Sequence, residues 1–153
     1  MIMKIKSRET FKLIGRSIEI QGQGVNDENY SKEKTKFYKE LFDQGMMKEL
    51  MPISTDKKGY AVIIPIENGI KYFAGVVSDD CKDGYENLEI SSQSYVVLAT
   101  HDGVSRLLFD KLENEFFSNK DDVSKFNGEK ILEVLINGNS MNAEVELWVP
   151  IKS

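Results

Sequence analysis

The chain has 153 residues, of which 41% are hydrophobic and 29% charged, a composition typical of one globular domain that buries roughly 70% of its unfolded surface. Its net charge is −5, with lysines and arginines scattered among the acids. Phosphate binding needs a basic stripe, so we expect no direct nucleic-acid partner. No apolar run approaches the ~20 residues of a membrane span, and the N-terminus lacks the pattern of a signal peptide. These features predict a cytoplasmic protein with no membrane partner.

Catalytic and metal-binding signatures are missing from the sequence. The single cysteine, Cys81, excludes an internal disulfide and a cysteine-based metal cage. His101, the only histidine, lies in ATHDG, where a turn residue is a better interpretation than a catalytic base without a nucleophile. Phosphate-loop, dinucleotide-binding, serine-hydrolase and zinc-protease motifs do not occur. We therefore predict no cofactor, no metal site and no catalytic residue.

The first half of the chain predicts a strand, a helix and a hairpin. Residues 11–20 are rich in isoleucine and predict a strand, with Gly15 at a bulge or a close approach of backbones. From about Ser31 to a stop at Gly45, apolar residues recur at helical spacing, and this stripe fits either plain core or a ligand platform. Its members are Phe37, Tyr38, Leu41 and Phe42.

Residues 60–77 contain two strand-like runs that flank Asn68-Gly69, the strongest short-range signal for a hairpin. Pro65 cannot donate a ladder hydrogen bond, so it must lie at a sheet edge, near a strand end or at a bulge.

The second half repeats this order. Residues 88–103 predict one extended segment, and Asp102 is a candidate N-cap for a helix that carries Leu108, Leu112 and Phe116 on one face. Residues 131–151 then predict a final hairpin through Asn137-Gly138, which we expect to form a type I′ turn.

Strand, helix and hairpin thus occur twice, and the two Asn-Gly pairs lie 69 residues apart. We predict an α+β fold of duplicated βαββ units related by a pseudo-twofold axis, with a ligand groove between the halves. The whole chain, residues 1–153, would be one domain with halves at about 1–80 and 81–153.

Glu133 is out of place in the final hairpin. By strand alternation it shares a face with Ile131 and Leu135, while Leu132, Val134 and Ile136 share the other face, so both faces are apolar. A buried carboxylate costs several kcal/mol unless it is paired, hydrogen-bonded or protonated. Either Glu133 reaches the rim or a buried tyrosine, or it forms the floor of an apolar pocket. In the second case we expect Glu133→Gln to leave stability equal or higher.

Aromatic residues and a buried acid together can hold a lipophilic cation. The return strand also places Trp148 on one face with Glu144 and Glu146. The candidate wall residues of such a pocket are Tyr38, Tyr60, Tyr72, Tyr95, Phe116 and Trp148.

Five segments, in this order and spacing, resemble the GyrI-like or AraC-type effector-binding family over essentially the whole chain: FKLIG, YFAGVV, SYVVLATHDG, LEVL and ELWVPIK. The resemblance implies the duplicated βαββ fold. It also implies that Glu133, on the strand after the second helix, contacts cationic ligands. The family's helix aromatics, commonly tryptophan, fall on Tyr38 and Phe116, and its strand tyrosine falls on Tyr95. The chain departs from the family in those two tryptophans and in Leu135, where a tyrosine is usual.

Regulatory members of that family carry a helix-turn-helix segment before this domain, whereas the resemblance here begins almost at residue 1. We therefore predict a stand-alone binding protein for hydrophobic, cationic or aromatic small molecules that feeds transcriptional regulation or resistance. Its predicted ligand-binding residues are Glu133, Trp148, Tyr38, Tyr95, Phe116 and Tyr72. Two alternatives stay open: a hydrolase of reactive xenobiotics that uses Glu133, and a partner of DNA gyrase or of a separate regulator.

Overall fold

A computed structural model describes residues 2–24 and 27–152. Its eight strands are β1 (Ile2–Arg8), β2 (Phe11–Gln21), β3 (Gly59–Ile66), β4 (Gly69–Val77), β5 (Glu86–Ile90), β6 (Gln93–Gly103), β7 (Ile131–Leu135) and β8 (Ala143–Pro150). Its helices are α1 (Asn29–Asp43), α2 (Met46–Leu50), α3 (Ser105–Phe117) and α4 (Lys120–Lys125), and a short 3-10 turn covers Met51–Ile53. None of these helices is long and apolar enough to cross a bilayer.

All eight strands form one antiparallel sheet in the order β1-β6-β8-β7-β3-β4-β2-β5. Exchanging each strand for its counterpart in the other half gives the same order read from the opposite edge of the sheet. This symmetry confirms the α+β fold with two related halves. The edge strands are exchanged, because β1 pairs with β6 of the second half and β5 pairs with β2 of the first.

Each half contains one strand more than the sequence analysis predicted. The predicted first strand began at residue 11, but residues 2–8 form β1, and the extended segment from residue 88 to residue 103 is divided between β5 and β6. Both missed strands lie at sheet edges, and Met3 and Ile5 of β1 are exposed. An edge strand buries little, so its sequence carries a weak hydrophobic pattern.

The helices cover one face of the sheet, and a second apolar cluster packs on the other face. The predicted alternation in β7 is confirmed: Ile131 and Leu135 face the helices with Glu133, and Leu132 and Val134 face the second cluster. Both faces are therefore buried, as the sequence indicated.

Gly15 is a close-approach point, as predicted. It pairs with Gly75 of β4, and a Cβ atom added to Gly15 would lie 1.9 Å from the carbonyl oxygen of Ala74. Pro65 lies near the end of β3, beyond Ile63, the last residue of that strand paired with β7.

Three predicted turn and cap details are wrong. The first hairpin turns at Glu67 and Asn68 and not at Asn68-Gly69, because Gly69 already belongs to β4. Of the two turn residues only Asn68 has a positive φ. The second hairpin closes through residues 136–142, a loop organised by the Asn137 side chain, which accepts from the Glu144 amide and donates to the Asn142 carbonyl. Asp102 still belongs to β6, and the N-cap of α3 is Val104.

Candidate functional site: a buried ion cluster beneath two helices

Glu133 lies in the middle of the sheet on β7, and its side chain is 0% exposed. Directly across from it on β3 is Ala61. Side chains from α1 and α3 reach Glu133 on this face of the sheet.

The carboxylate of Glu133 accepts four hydrogen bonds. The Tyr72 hydroxyl donates to Oε1 at 2.5 Å. Arg106 of α3 donates through Nη1 to Oε1 at 3.1 Å and through Nη2 to Oε2 at 2.9 Å. Lys34 of α1 donates from Nζ to Oε2 at 3.2 Å. A carboxylate offers about four lone-pair sites, so the acceptor capacity of Glu133 is used in full.

The two cations also contact a second layer of acids on α3. Lys34 Nζ lies 3.4 Å from an oxygen of Glu113. Arg106 Nε donates to Asp110 Oδ1 at 3.0 Å, and Arg106 Nη2 lies 3.6 Å from Glu113. Glu133, Lys34 and Glu113 are nearly inaccessible, whereas the Asp110 side chain is 24% exposed. The cluster thus runs from the sheet to the protein surface.

Two polar contacts join α1 to α3 above the sheet. Ser31 donates to Asp110 Oδ2 at 2.5 Å, and Lys34 contacts Glu113. These contacts hold the cleft between the helices closed over Glu133.

The electrostatics of the cluster separate its two buried glutamates. Burial alone would raise the pKa of Glu133, but the charges of Arg106 and Lys34 hold that pKa well below its usual range. Burial, and then the negative charge of Glu133, raise the pKa of Glu113 well above its usual range, with Lys34 and Arg106 only partly opposing them. Glu133 is therefore the ionised acid, and Glu113 favours the protonated form.

The raised pKa of Glu113 predicts a specific dependence of stability on pH. A folded-state pKa above the unfolded value contributes stability that is complete at low pH and is lost as pH rises through the folded pKa. We expect the free energy of unfolding to fall by up to about 1.4 kcal/mol per pH unit in that window, above the ordinary glutamate range. Glu113→Gln, which imitates the protonated acid beside Lys34, Arg106 and Glu133, should remove this slope.

Urea denaturation from about pH 4 to about pH 8 measures this slope. Glu129→Gln, the same substitution at an exposed position before β7, is the control and should keep the wild-type profile. Identical profiles for wild type and Glu113→Gln would contradict the assignment of the protonated acid.

Aromatic rings line the cluster on the side of α1. The Tyr72 ring packs edge-on against Phe37 and Tyr38, with centroids 6.2 and 6.0 Å apart, and Lys34 Nζ lies 5.1 Å from the Tyr72 ring. Tyr38 is 37% exposed, yet burial of its hydroxyl and the nearby charge of Glu133 raise its pKa. Its ring therefore connects the buried cluster to the surface.

The structure brings together only part of the predicted site. Glu133, Tyr72 and Tyr38 form one group. Tyr95 and Trp148 lie on the opposite face of the sheet, where their rings are 5.4 Å apart and the Trp148 indole donates to Glu146.

Two further predicted wall residues also lie apart from Glu133. Phe116 is fully buried on the helix side and packs against Phe117, away from the polar end of α3. Tyr60 faces the second cluster and bonds Asp56.

A cavity of about 170 Å³ lies beside the cluster, between α1 and α3. Lys34 and Glu113 form its inner wall, and its other lining residues are Asp27, Glu28, Tyr30, Ser31, Asp110 and Asn114. Acids outnumber cations around it, so its field favours a positive charge. Pockets for drug-sized ligands occupy about 300–1,000 Å³, so this cavity is an entrance and not a complete pocket.

The sequence analysis missed Lys34, Arg106, Asp110 and Glu113. The sequence does indicate that Lys34 is buried, because Lys34 lies on the buried stripe of α1 at positions 30, 34, 37 and 41. Glu113 likewise falls between Phe109 and Phe116 on the buried face of α3. A charged residue at a core position of a helix, in a chain with a charged residue in a core strand, predicts that the two meet.

Fold and site together define a class of protein: a duplicated α+β domain with a buried acid beneath two helices. The family model of the integron-associated effector binding protein, Cass2, matches residues 4–151, and the chain belongs to that family. Membership of an effector-binding family is thus confirmed, whereas the GyrI-like or AraC-type family itself stays a prediction. No curated protein sequence matches the chain.

Solved structures share the fold at low sequence identity. SAV2435 bound to tetraphenylphosphonium is 16% identical, with a TM-score of 0.85 over 100% of this chain and 95% of that one. An integron cassette protein of Vibrio cholerae is 14% identical, with a TM-score of 0.65 over 98% and 95%. The C-terminal domain of EcmrR is 12% identical, with a TM-score of 0.64 over 99% and 98%.

Proposed function

We propose that this protein binds hydrophobic organic cations in the cleft between α1 and α3, with the carboxylate of Glu133 as counter-ion and the rings of Tyr72 and Tyr38 as walls. The observation that carries the proposal is a fully buried, ionised glutamate at the centre of the sheet with aromatic rings beside it. A cation over aromatic faces and a desolvated carboxylate gains both cation–π and Coulomb stabilisation. The tetraphenylphosphonium in SAV2435, a protein of this fold, supports the same ligand class.

The acid-rich entrance supports this choice of ligand charge. A cation approaching the cavity meets Asp27, Glu28 and Asp110 before it reaches the cluster. Carboxylates that line a cleft raise the local concentration of cations and speed their association.

A hydrolytic role for Glu133 is less well supported. A general base works best when its pKa lies near the operating pH. Arg106 and Lys34 hold the pKa of Glu133 well below its usual range and occupy its lone pairs. Such a carboxylate is a counter-ion for a cation and a weak base for water.

Calorimetric titration with two ions of one shape and opposite charge tests the proposal. We expect wild type to bind tetraphenylphosphonium and to bind tetraphenylborate much more weakly. Glu133→Gln should weaken binding of the cation by about 1–3 kcal/mol, the scale of a charged hydrogen bond. Titrations should be made at a temperature at which circular dichroism shows the variant folded.

Glu129→Gln is the matched control and should retain the wild-type affinity, because Glu129 is exposed. Equal losses for the phosphonium and the borate in Glu133→Gln would mean that Glu133 supports the fold and does not contact the ligand. Consumption of the phosphonium, or of a reactive test ester, would favour the hydrolase instead.

A further inference from the structure

We infer that Arg106 is a built-in competitor for the ligand site: its guanidinium occupies Glu133 as an internal cation, and a ligand binds by moving Arg106 onto Asp110. This inference rests on the proposed function and adds how the site is regulated and how it selects its ligands.

The first argument is the saturation of Glu133. Its two oxygens accept from Tyr72, twice from Arg106 and from Lys34, at 2.5 to 3.2 Å. A ligand cation cannot approach this carboxylate without replacing at least one donor.

Arg106 is the donor best placed to leave. Lys34 is 2% exposed, with its ammonium between Glu133 and Glu113, whereas the Arg106 side chain is 11% exposed. Arg106 also has a second carboxylate acceptor one helical turn away, Asp110, to which Nε donates at 3.0 Å and from which Nη2 lies 2.9 Å. Rotation of the guanidinium away from Glu133 therefore leaves it paired, and no buried cation is left without a partner.

The cavity beside the cluster supports the same inference. Its volume of about 170 Å³ is too small for a cation with several rings. Binding of such a cation therefore requires side chains of the cluster to move, and Asp110, the acceptor that would keep Arg106, lines the cavity. Ser31 donates to Oδ2 of Asp110 and Arg106 donates to Oδ1, so this carboxylate can keep both donors.

A competitor of this kind sets a requirement on the ligand. A site whose competent state is only fractionally populated binds with an affinity reduced by that fraction. The ligand must supply a positive charge and aromatic contacts that together exceed the bidentate bond of Arg106 to Glu133. Small cations without rings would therefore be excluded.

The test compares tetraphenylphosphonium affinity in wild type, Arg106→Gln and Arg16→Gln. Removing the competitor should tighten phosphonium binding roughly tenfold or more, the effect of a lost charged hydrogen bond, and should not tighten binding of tetraphenylborate. Arg16→Gln makes the same change of net charge where the guanidinium contacts Gln44 and Gly84, and should leave the affinity unchanged.

Each outcome separates this inference from the proposed function. Equal affinity in wild type and Arg106→Gln would overturn the inference that Arg106 competes with the ligand, and would not contradict the proposed function. Binding by neither protein would overturn the proposed function and the inference with it. Tighter phosphonium binding by Arg106→Gln than by wild type would support both, and weaker binding by Arg106→Gln would overturn the inference.

Wild-type protein gives a second measurement if Arg106→Gln does not fold. The chain has three arginines, Arg8, Arg16 and Arg106, so arginine-labelled protein yields a simple nitrogen spectrum. Without ligand, the bond to Glu133 should slow rotation of the Arg106 guanidinium and separate its two Nη signals. Saturating tetraphenylphosphonium should shift the Nη1 signal, because Nη1 contacts Glu133 and Tyr72, whereas Nε and Nη2 keep Asp110. An Nη1 signal that is unchanged in the saturated complex would overturn the inference.

Discussion

Glu133→Gln is expected to lower the free energy of unfolding by about 3–5 kcal/mol, because it breaks a buried ion cluster by removing one partner. The substitution leaves Arg106 and Lys34 beside a neutral amide in a site without solvent, and the amide nitrogen cannot accept from either of them. A loss of this size is a large share of the 5–15 kcal/mol typical of a domain. It reverses the expectation that the sequence analysis attached to the apolar-pocket alternative, in which Glu133 was an unpaired charge.

Urea denaturation of wild type, Glu133→Gln and the exposed control Glu129→Gln measures the effect. A double variant that also carries Arg106→Gln should lose less than the sum of the single losses, since the same ion pair is broken only once. Additive losses, or a Glu133→Gln variant as stable as wild type, would show that Glu133 and Arg106 do not interact in the folded protein.

The sequence was sufficient for the parts of the fold that depend on local pattern. The alternation of β7 correctly placed Ile131 and Glu133 on one buried face, because a strand buried on both sides leaves no polar face for a carboxylate. The resemblance and the repeat gave the duplicated sheet. β1 was missed, since its partner β6 lies far away along the chain and no local pattern specifies that pairing.

The candidate site was less accessible from the sequence, because it is made by tertiary contact. The sequence analysis named neither Lys34 nor Arg106, because charged residues of a helix usually lie on its solvated face. Trp148 was grouped with Glu133 by chemical type, but β8 turns it to the other face of the sheet, with Leu132 as its neighbour on β7. Only the meeting of α1, α3 and β7 shows that the protein supplies its own cations to Glu133.

The cluster contributes little net free energy to folding, because the cost of desolvating its ions is large. Each of its ions loses hydration on folding, and the pairing of Glu133 with Arg106 and Lys34 recovers that loss without a large surplus. Its tyrosine, Tyr72, must also keep its hydroxyl bonded. We infer that a ligand-binding requirement, and not stability, explains why ions occupy the centre of this sheet.

Replacing Glu133 and its three donors together separates these two explanations. A variant with Glu133→Leu, Arg106→Met, Lys34→Met and Tyr72→Phe removes every ion and donor around the carboxylate together and keeps similar side-chain volumes. We expect it to be as stable as wild type or more stable by about 1–4 kcal/mol, because burial favours the protonated form of Glu113 and no unpaired buried charge remains. The same variant should show no measurable binding of tetraphenylphosphonium.

Denaturation and calorimetry on this variant and on Glu133→Leu alone decide the matter. The single substitution removes the acid that Lys34 and Arg106 share and leaves them with Glu113 and Asp110 as partners, so it should be the least stable protein of the series. If the fourfold variant were as unstable as Glu133→Leu, the cluster would be required for folding. If it folded and still bound the phosphonium with wild-type affinity, the cation site would lie elsewhere, and the aromatic group around Arg8, Phe11 and Trp148 on the opposite face would be the next to test.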